Sequence, residues 1–387
     1  MTLKGDRGDW RYTLAEELVK VKDLTGAVAE YQAALKLNPQ DGDSAYGLGY
    51  AQQLAGDLNG AVSSYQTVLT INPRNSNAHF NIGIIKQQQR DLSGAETEFK
   101  AVLAATPEDP SALINLGRTY LLGGDLNQAV VFYRQGLSLD PSDAPSFIEL
   151  GNALARLKDM TGARSAIESA LALSPTNKQG LLALANLDES DNNYVDAEQI
   201  YRKLLESNVN DLEVLNELAD CLDAQNKNEA AIATYQRIVQ LNPRDPEAFN
   251  SLGLCLQRNN DSNGALSMYK KALDLNPNMA EAHINVGNVY LSRQIYADAA
   301  AEYKLALVTS PQSTLAHYNL GLALMGQDDF QGALGEYKKA IEIDAKYASA
   351  YYALALLYIK QNSQAEAIAA LETYLAIDPA GQYSEQV

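Results

Sequence analysis

The chain has 387 residues, 46% of them hydrophobic, and a formal net charge of −18 with a pI near 4.6. Nucleic acid and anionic membrane surfaces both require a basic face, so this charge argues against either as a partner, and the apolar content argues against a disordered chain. The longest apolar run, YYALALLYI at 351–359, is too short to cross a bilayer, so no membrane insertion is expected. The opening MTLKGDRGDWRYTLAEELVK lacks the apolar core of a signal peptide. Two cysteines do not make a secreted disulfide framework. These features predict a cytoplasmic protein, or a periplasmic one if a leader was removed and replaced by Met1.

Proline recurs along the chain at Pro39, Pro73, Pro107, Pro141, Pro175, Pro243, Pro277, Pro311 and Pro379, always 34 or 68 residues apart, with Val209 and Ala345 at the two skipped positions. The chain divides accordingly into an N-terminal extension (1–7), one array of 11 units of 34 residues from Gly8 to Gly381 (8–381), and a tail (382–387). With positions numbered 1 to 34 inside each unit, position 7 is always Leu, Ile or Val. Position 8 is always Gly or Ala, from Ala15 and Gly49 to Gly321 and Ala355, and position 20 is alanine throughout, from Ala27 to Ala367. Position 24 is aromatic except at Ile167 and Leu371.

This pattern predicts a helical hairpin in every unit. Small residues at 8 and 20 let two antiparallel helices approach closely, the aromatic ring at 24 fills the space beside them, and proline at 32 stops the second helix. Helix starts are marked as well. Position 16 offers Asp23, Asp57, Asp91, Asp125, Asp159, Asn193, Asp261, Asp329 and Ser363 as N-caps of the second helices. Position 34 offers Asp41, Asn75, Asp109, Asp143, Asn177, Asp211, Asp245 and Ser313 for the first helix of the following unit. Much of the acidity is therefore structural, since aspartate is favoured at the positive end of the helix dipole.

The offsets of these residues resemble those of the tetratricopeptide repeat family over almost the whole chain. The resemblance implies an all-α fold, a right-handed superhelical solenoid of stacked antiparallel helix pairs. Departures occur at position 4, seldom aromatic here, and at position 11, where Lys86 and Asp188 replace apolar residues. Cys221 and Cys255 both occupy position 10 of consecutive units. Equivalent residues on stacked helices lie roughly 8–10 Å apart, beyond the roughly 7 Å reach of a disulfide, so they read as buried free thiols, with a redox or metal role as the alternative. His79, His283 and His317 all stand at position 4 and read as packing residues. No phosphate loop, dinucleotide fingerprint, zinc-protease motif or nucleophile elbow occurs. Neither an enzyme nor a bound cofactor or metal is expected.

The resemblance further implies that positions 2, 5, 9, 12 and 13, with 6 beside them, face a concave groove that holds partner segments. Position 5 carries Tyr46, Phe80, Tyr318 and Tyr352 towards the two ends of the array, and lysine nowhere. The family's carboxylate clamps need a lysine there, so that mode is disfavoured, and the floor suits apolar side chains. Asparagine recurs at position 6 (Asn81, Asn115, Asn285, Asn319) and at position 9 (Asn152, Asn186, Asn288). An amide can hold an extended backbone without reading its sequence. This resembles the asparagine ladder in the repeat region of O-linked N-acetylglucosamine transferases; the alternative is that asparagine at position 6 is common in the family. In the first helix of unit 7, Glu213, Glu217, Asp220 and Asp223 line one face, flanked by Glu247 and Glu189. That stripe points to a basic partner, with a plain solvated face as the alternative.

The expected function is a non-enzymatic scaffold or adaptor that binds protein or peptide segments in assembling a multiprotein complex. The competing reading is the targeting region of a larger enzyme or secretion machine. The last unit departs from pattern with Leu371 and Tyr374, and its second helix is expected to expose Ile368, Leu371 and Leu375. Since terminal repeats normally carry a polar cap, a homo-oligomer through that end is a further expectation.

Overall fold

The computed structural model describes residues 7–381. The tail and residues 1–6 of the expected extension lie outside the described residues, and Arg7 already belongs to the first helix. The chain forms two compact bodies, Met1–Asn193 and Tyr194–Val387. Body 1 contains α1 (Arg7–Lys20), α2 (Leu24–Leu37), α3 (Gly42–Leu54), α4 (Leu58–Ile71), α5 (Ser76–Gln88), α6 (Leu92–Ala105), α7 (Pro110–Gly123), α8 (Leu126–Leu139), α9 (Ala144–Arg156), α10 (Met160–Leu173) and α11 (Lys178–Ser190). Body 2 contains α12 (Tyr194–Ser207), α13 (Leu212–Ala224), α14 (Asn228–Leu241), α15 (Pro246–Arg258), α16 (Ser262–Leu275), α17 (Ala280–Ser292), α18 (Tyr296–Thr309), α19 (Thr314–Gly326), α20 (Phe330–Ile343), α21 (Ala348–Lys360) and α22 (Gln364–Ile377). Among the described residues there is no strand. The helices pack as consecutive hairpins, α1 to α10 in body 1 and α13 to α22 in body 2. First helices also touch the first helices of neighbouring hairpins, as α7 touches α9 and α17 touches α19, so they form a row on one face.

The caps anticipated at position 34 are all made: the side chains from Asp41 to Ser313 each accept a hydrogen bond from a backbone N–H in the first turn of the next helix. At position 16 the aspartates from Asp23 to Asp329 cap in the same way. Ser363 is a correction, because its side chain makes no cap bond to α22.

Between the two helices of every hairpin, position 15 adopts a left-handed backbone. It is glycine only at Gly56 and Gly124, and otherwise Lys22, Arg90, Lys158, Asn192, Asn226, Asn260, Gln294, Asp328 or Asn362. The amides that follow turn back into the end of the first helix, as Lys22 N–H donates to Val19 O at 3.0 Å and Asp23 N–H to Leu18 O at 2.9 Å. This closure satisfies carbonyls that the helix end would otherwise leave bare.

The core is built from the small and aromatic positions. All of the position-20 alanines are buried, and so are the rings of Tyr65, Tyr133, Tyr201, Tyr269, Tyr303 and Tyr337. The ring lies so close to position 8 that a Cβ added at Gly253 would stand 2.5 Å from Tyr269 Cε1, and one at Gly287 2.6 Å from Tyr303 Cε1. In the last hairpin Leu371 is only half-buried at position 24, and Tyr374 from the next turn of α22 fills the space, its ring 5.5 Å from that of Tyr352. Ile368 is 58% exposed, as expected, whereas Leu371 and Leu375 are half-buried rather than exposed.

The two charged residues at position 11 are paired. Lys86 Nζ lies 3.3 Å from Glu98 Oε1. Asp188 is 4% exposed and its Oδ1 accepts from Arg164 at 2.8 Å, while the same guanidinium reaches Asp191 at 3.1 Å. The histidines do more than pack. His79, His283 and His317 place Nδ1 at 2.7, 2.6 and 2.6 Å from Glu98, Glu302 and Glu336. Their Nε2 atoms stand 3.1, 3.0 and 3.1 Å from the carbonyls of Pro73, Pro277 and Pro311. Each imidazole thus ties the preceding inter-repeat turn to the second helix of its own hairpin.

Both cysteines are free and buried. Cys221 Sγ donates to Tyr194 O at 3.3 Å, and Cys255 Sγ to Asp223 Oδ1 at 3.5 Å. Burial, followed by the charge of Asp223, pushes the Cys255 thiol up to about 12.

Two outcomes follow from these buried polar groups. Arg164→Met strands the Asp188 carboxylate and is expected to cost about 2–3 kcal/mol in denaturant unfolding, while Arg164→Met with Asp188→Leu recovers most of it; equal losses in single and double variants would refute the pairing. At pH 8, iodoacetamide is expected to alkylate Cys255 only as fast as the protein unfolds. Labelling of the native protein at the rate of a free thiol would overturn the buried assignment.

Candidate protein-binding face

The row of first helices supplies the candidate site. Between α9 and α11 of body 1 it is hollowed into a cavity of about 380 Å³. Pro145, Ile148, Glu149 and Asn152 of α9 line it at positions 2, 5, 6 and 9, and Gln179, Leu182, Ala183 and Asn186 of α11 repeat those positions. Two successive helices thus offer an aliphatic floor and a polar rim in the same register. Helical spacing explains this, since residues three and four apart share one face. Glu149 is held in place: Arg118 Nε donates to its two oxygens at 3.1 and 3.0 Å, and the Tyr133 hydroxyl donates to Oε2 at 2.5 Å. Asn152 and Asn186 are exposed and brought together at this cavity.

The position-6 asparagines sit on the same face but spend their amides within the array. Asn81 Nδ2 donates to the Tyr46 hydroxyl at 2.9 Å. Asn115 is buried, donating to Ser111 O at 2.9 Å and accepting from Arg118 at 3.1 Å. In body 2, Asn285 donates to Asn250 Oδ1 and Asn319 to Asn288 Oδ1, each at 2.9 Å, and Asn288 Oδ1 also accepts from the Tyr303 hydroxyl at 2.8 Å. Asn81, Asn285 and Asn319 thus stitch one first helix to the next, whereas the Asn115 side chain bonds within its own helix.

The position-5 aromatics are half-buried and packed on the ring of their own hairpin. Centroids lie 5.4 Å apart for Tyr46 and Tyr65, 5.7 Å for Phe80 and Phe99, and 6.2 Å for Tyr318 and Tyr337. Tyr318 also meets Tyr347 at 5.4 Å, and Tyr352 meets Tyr374. They form the face's apolar floor and the lid of its core at once.

The acidic stripe of α13 is in place and partly neutralised. Glu213 and Asp220 are exposed, Glu217 and Asp223 half-buried. Asp220 accepts from the Tyr235 hydroxyl, and Asp223 pairs with Arg258 of the next first helix. Glu247 is exposed on α15, and its carboxyl is raised above the usual range by burial and then by the charges of Glu281 and Asp245. Glu213, Glu247 and Glu281 all occupy position 2 of consecutive first helices, so the acidic face extends one hairpin further than the sequence reading placed it. Among the described residues no cluster of three or more His, Cys, Asp or Glu side chains could hold a metal ion. No described helix is long and apolar enough to cross a membrane.

Two features of the face escaped the sequence reading. One is the extension at position 2 through Glu281, which the repeat register itself could have revealed. The other is the link from core to surface: the buried tyrosines at position 24 send their hydroxyls to polar residues of the first helices, Tyr65 to Gln53 at 3.0 Å and Tyr269 to Gln257 at 2.8 Å.

Comparison with known proteins places this architecture. Residues 43–283 match the family model described as the C-terminal domain of cilia and flagella-associated protein 70, a tetratricopeptide-repeat model. Residues 287–328 and 324–385 match two tetratricopeptide repeat models. No curated protein sequence matches the chain. Among solved structures, yeast Tom70 is 14% identical over 98% of this chain and 93% of its own, with a TM-score of 0.49. MamA from Desulfovibrio magneticus RS-1 is 19% identical over 44% of this chain and 97% of its own, at 0.41. YrrB, described as a TPR protein with an unusual peptide-binding site, is 23% identical over 48% of this chain and 95% of its own, at 0.40. With well over half of its length matched by one tetratricopeptide-repeat model and most of the remainder by two others, the chain belongs to the tetratricopeptide repeat family.

Proposed function

We propose that this protein is a non-enzymatic interaction scaffold whose first-helix face holds an extended segment of a partner protein. The observation that carries the reading is the cavity between α9 and α11, where Asn152, Asn186 and Gln179 surround Ile148 and Leu182 in one repeating register. An extended chain suits such a rim: amide groups bond its backbone, and the aliphatic floor takes alternate side chains. Asn81, Asn285 and Asn319 contribute indirectly, by fixing the spacing between successive first helices.

In body 2 the same face favours a segment rich in lysine or arginine. Glu213, Glu247 and Glu281 recur at position 2 of consecutive first helices, and a cationic ligand would offset the charges of Glu281 and Asp245 that, after burial, raise the Glu247 carboxyl. Assembly of a larger complex fits both surfaces, since the two bodies offer faces of different chemistry. The description of the matched model as a domain of a cilia and flagella-associated protein favours a second reading, in which the array docks a larger machine. A cytoplasmic setting agrees with two free thiols.

The test is affinity capture from cells that express the protein, comparing the wild-type chain with two variants. Asn152→Ala with Asn186→Ala is expected to lose a backbone-held partner at least tenfold. Glu213→Lys with Glu247→Lys is expected to lose a basic partner and to abolish the salt dependence of its binding. A partner retained equally by all three proteins would sink the first-helix face as the binding site.

A further inference from the structure

A recess of body 2 lies on the side formed by its second helices. There α18 and α20 part over α19 and leave a cavity of about 570 Å³, within the range of ligand sites. Leu307, Val308, Leu320 and Ile343 give it an aliphatic lining. Its register recurs. A cavity of about 410 Å³ between α12 and α14 is lined by Arg202, Leu205, Leu218 and Arg237, which hold the same repeat positions as Lys304, Leu307, Leu320 and Lys339.

The two cavities differ in how their charges are spent. In the smaller one Arg202 pairs with Glu198 and Arg237 donates to Asn210 Oδ1 at 2.9 Å. In the larger one Glu336 is taken by Lys339 at 2.9 Å and by His317 at 2.6 Å. Lys304 on the α18 wall and Glu342 on the α20 wall make no ion pair among the described residues, and both are exposed. The apolar surface also spills out of the recess. Val308 is 77% exposed, the highest value among the large hydrophobics of the described residues, and Leu305, one turn before it, is 48% exposed. An occupant that covers both must therefore extend beyond the cavity along α18, as a polypeptide does and a compact small molecule does not.

We propose that this outer cavity is a second docking site, separate from the first-helix face, for a partner polypeptide. The segment it fits buries one aliphatic side chain against Leu307, Leu320 and Ile343, and presents a carboxylate to Lys304 and a cation to Glu342. The opposite charges on the two walls set the direction of the segment as well as its composition.

The test is selection from a random peptide display library on the full chain, with counter-selection on Val308→Asp. Val308 and both charged residues are exposed, so the variants are expected to keep the wild-type circular dichroism spectrum and melting temperature. Enriched peptides are expected to carry Leu, Ile or Val between an acidic and a basic residue and to bind Val308→Asp at least tenfold more weakly. They are expected to be indifferent to Asn152→Ala with Asn186→Ala. Repeating the selection on Lys304→Glu should replace the acidic residue by a basic one, and on Glu342→Lys the basic by an acidic one. If no peptide discriminates Val308→Asp from the wild type, or if the charge-reversed proteins select the same sequences, the outer site does not exist as described. Peptides lost by the Asn152 and Asn186 variant would assign the binding to the first-helix face instead.

Discussion

The architecture depends on one contact, the ring at position 24 lying against the small residue at position 8 of the same hairpin. It sets how closely the two helices approach. The contact demands a small residue rather than glycine itself, since Ala15 and Ala219 serve at position 8 in the hairpins of Tyr31 and Tyr235, all of them buried. The ring itself is replaceable by another shape. Ile167 stands in the aromatic position opposite Gly151, where an added Cβ would meet its Cγ1 at 2.6 Å. In the last hairpin the ring arrives from Tyr374, one turn later. What the fold conserves within itself is a filled volume at a fixed spot, consistent with the close packing of protein interiors.

The same contact ties the core to the first-helix face. A phenylalanine at position 24 would fill the volume, yet tyrosine predominates. Its hydroxyl emerges between the helices and finds a partner on the first-helix row: Gln53, Glu149, Asp220, Gln257 or Asn288. A buried hydroxyl requires such a partner, and the partner in turn is held in one orientation. Glu149 at the rim of the α9–α11 cavity is fixed this way, with Arg118 completing its shell. Glu149 of that rim is therefore pre-organised by the core, which reduces the entropy a bound segment would have to overcome there.

How much of this was legible from the sequence follows from which interactions are periodic. Caps, prolines, alanines and rings recur every 34 residues, so the hairpins and most of their boundaries could be read directly. Position 15 could not: its left-handed backbone is shared by lysine, arginine, glutamine and asparagine, because the hairpin turn imposes it whatever the side chain. The pairing of Asp188 with Arg164 was hidden for a different reason. It joins residues of neighbouring hairpins, and only stacking brings them together. The asparagines show the limit most clearly. Their positions placed them on the candidate face, where Asn152 and Asn186 line the cavity. The same positional reading was silent on the amide bonds from Asn285 to Asn250 and from Asn319 to Asn288, which depend on the distance between adjacent first helices.

A repeat that fixes its core at positions 8, 20 and 24 leaves other positions to vary without harming the stack. On the first helices these are positions 2, 5, 6, 9 and 12; on the second helices they include 25, 26 and 29. Variation there changes the chemistry of a recess whose shape the stack has already made. The two outer cavities illustrate the point, because their registers coincide while their charges are differently engaged. Arg202 and Arg237 are committed to neighbours, but Lys304 faces an aliphatic hollow across from Glu342. A register common to these two recesses therefore cannot by itself distinguish a binding recess from an idle one. The difference lies in whether the charges lining it are already satisfied within the array, and it is read residue by residue.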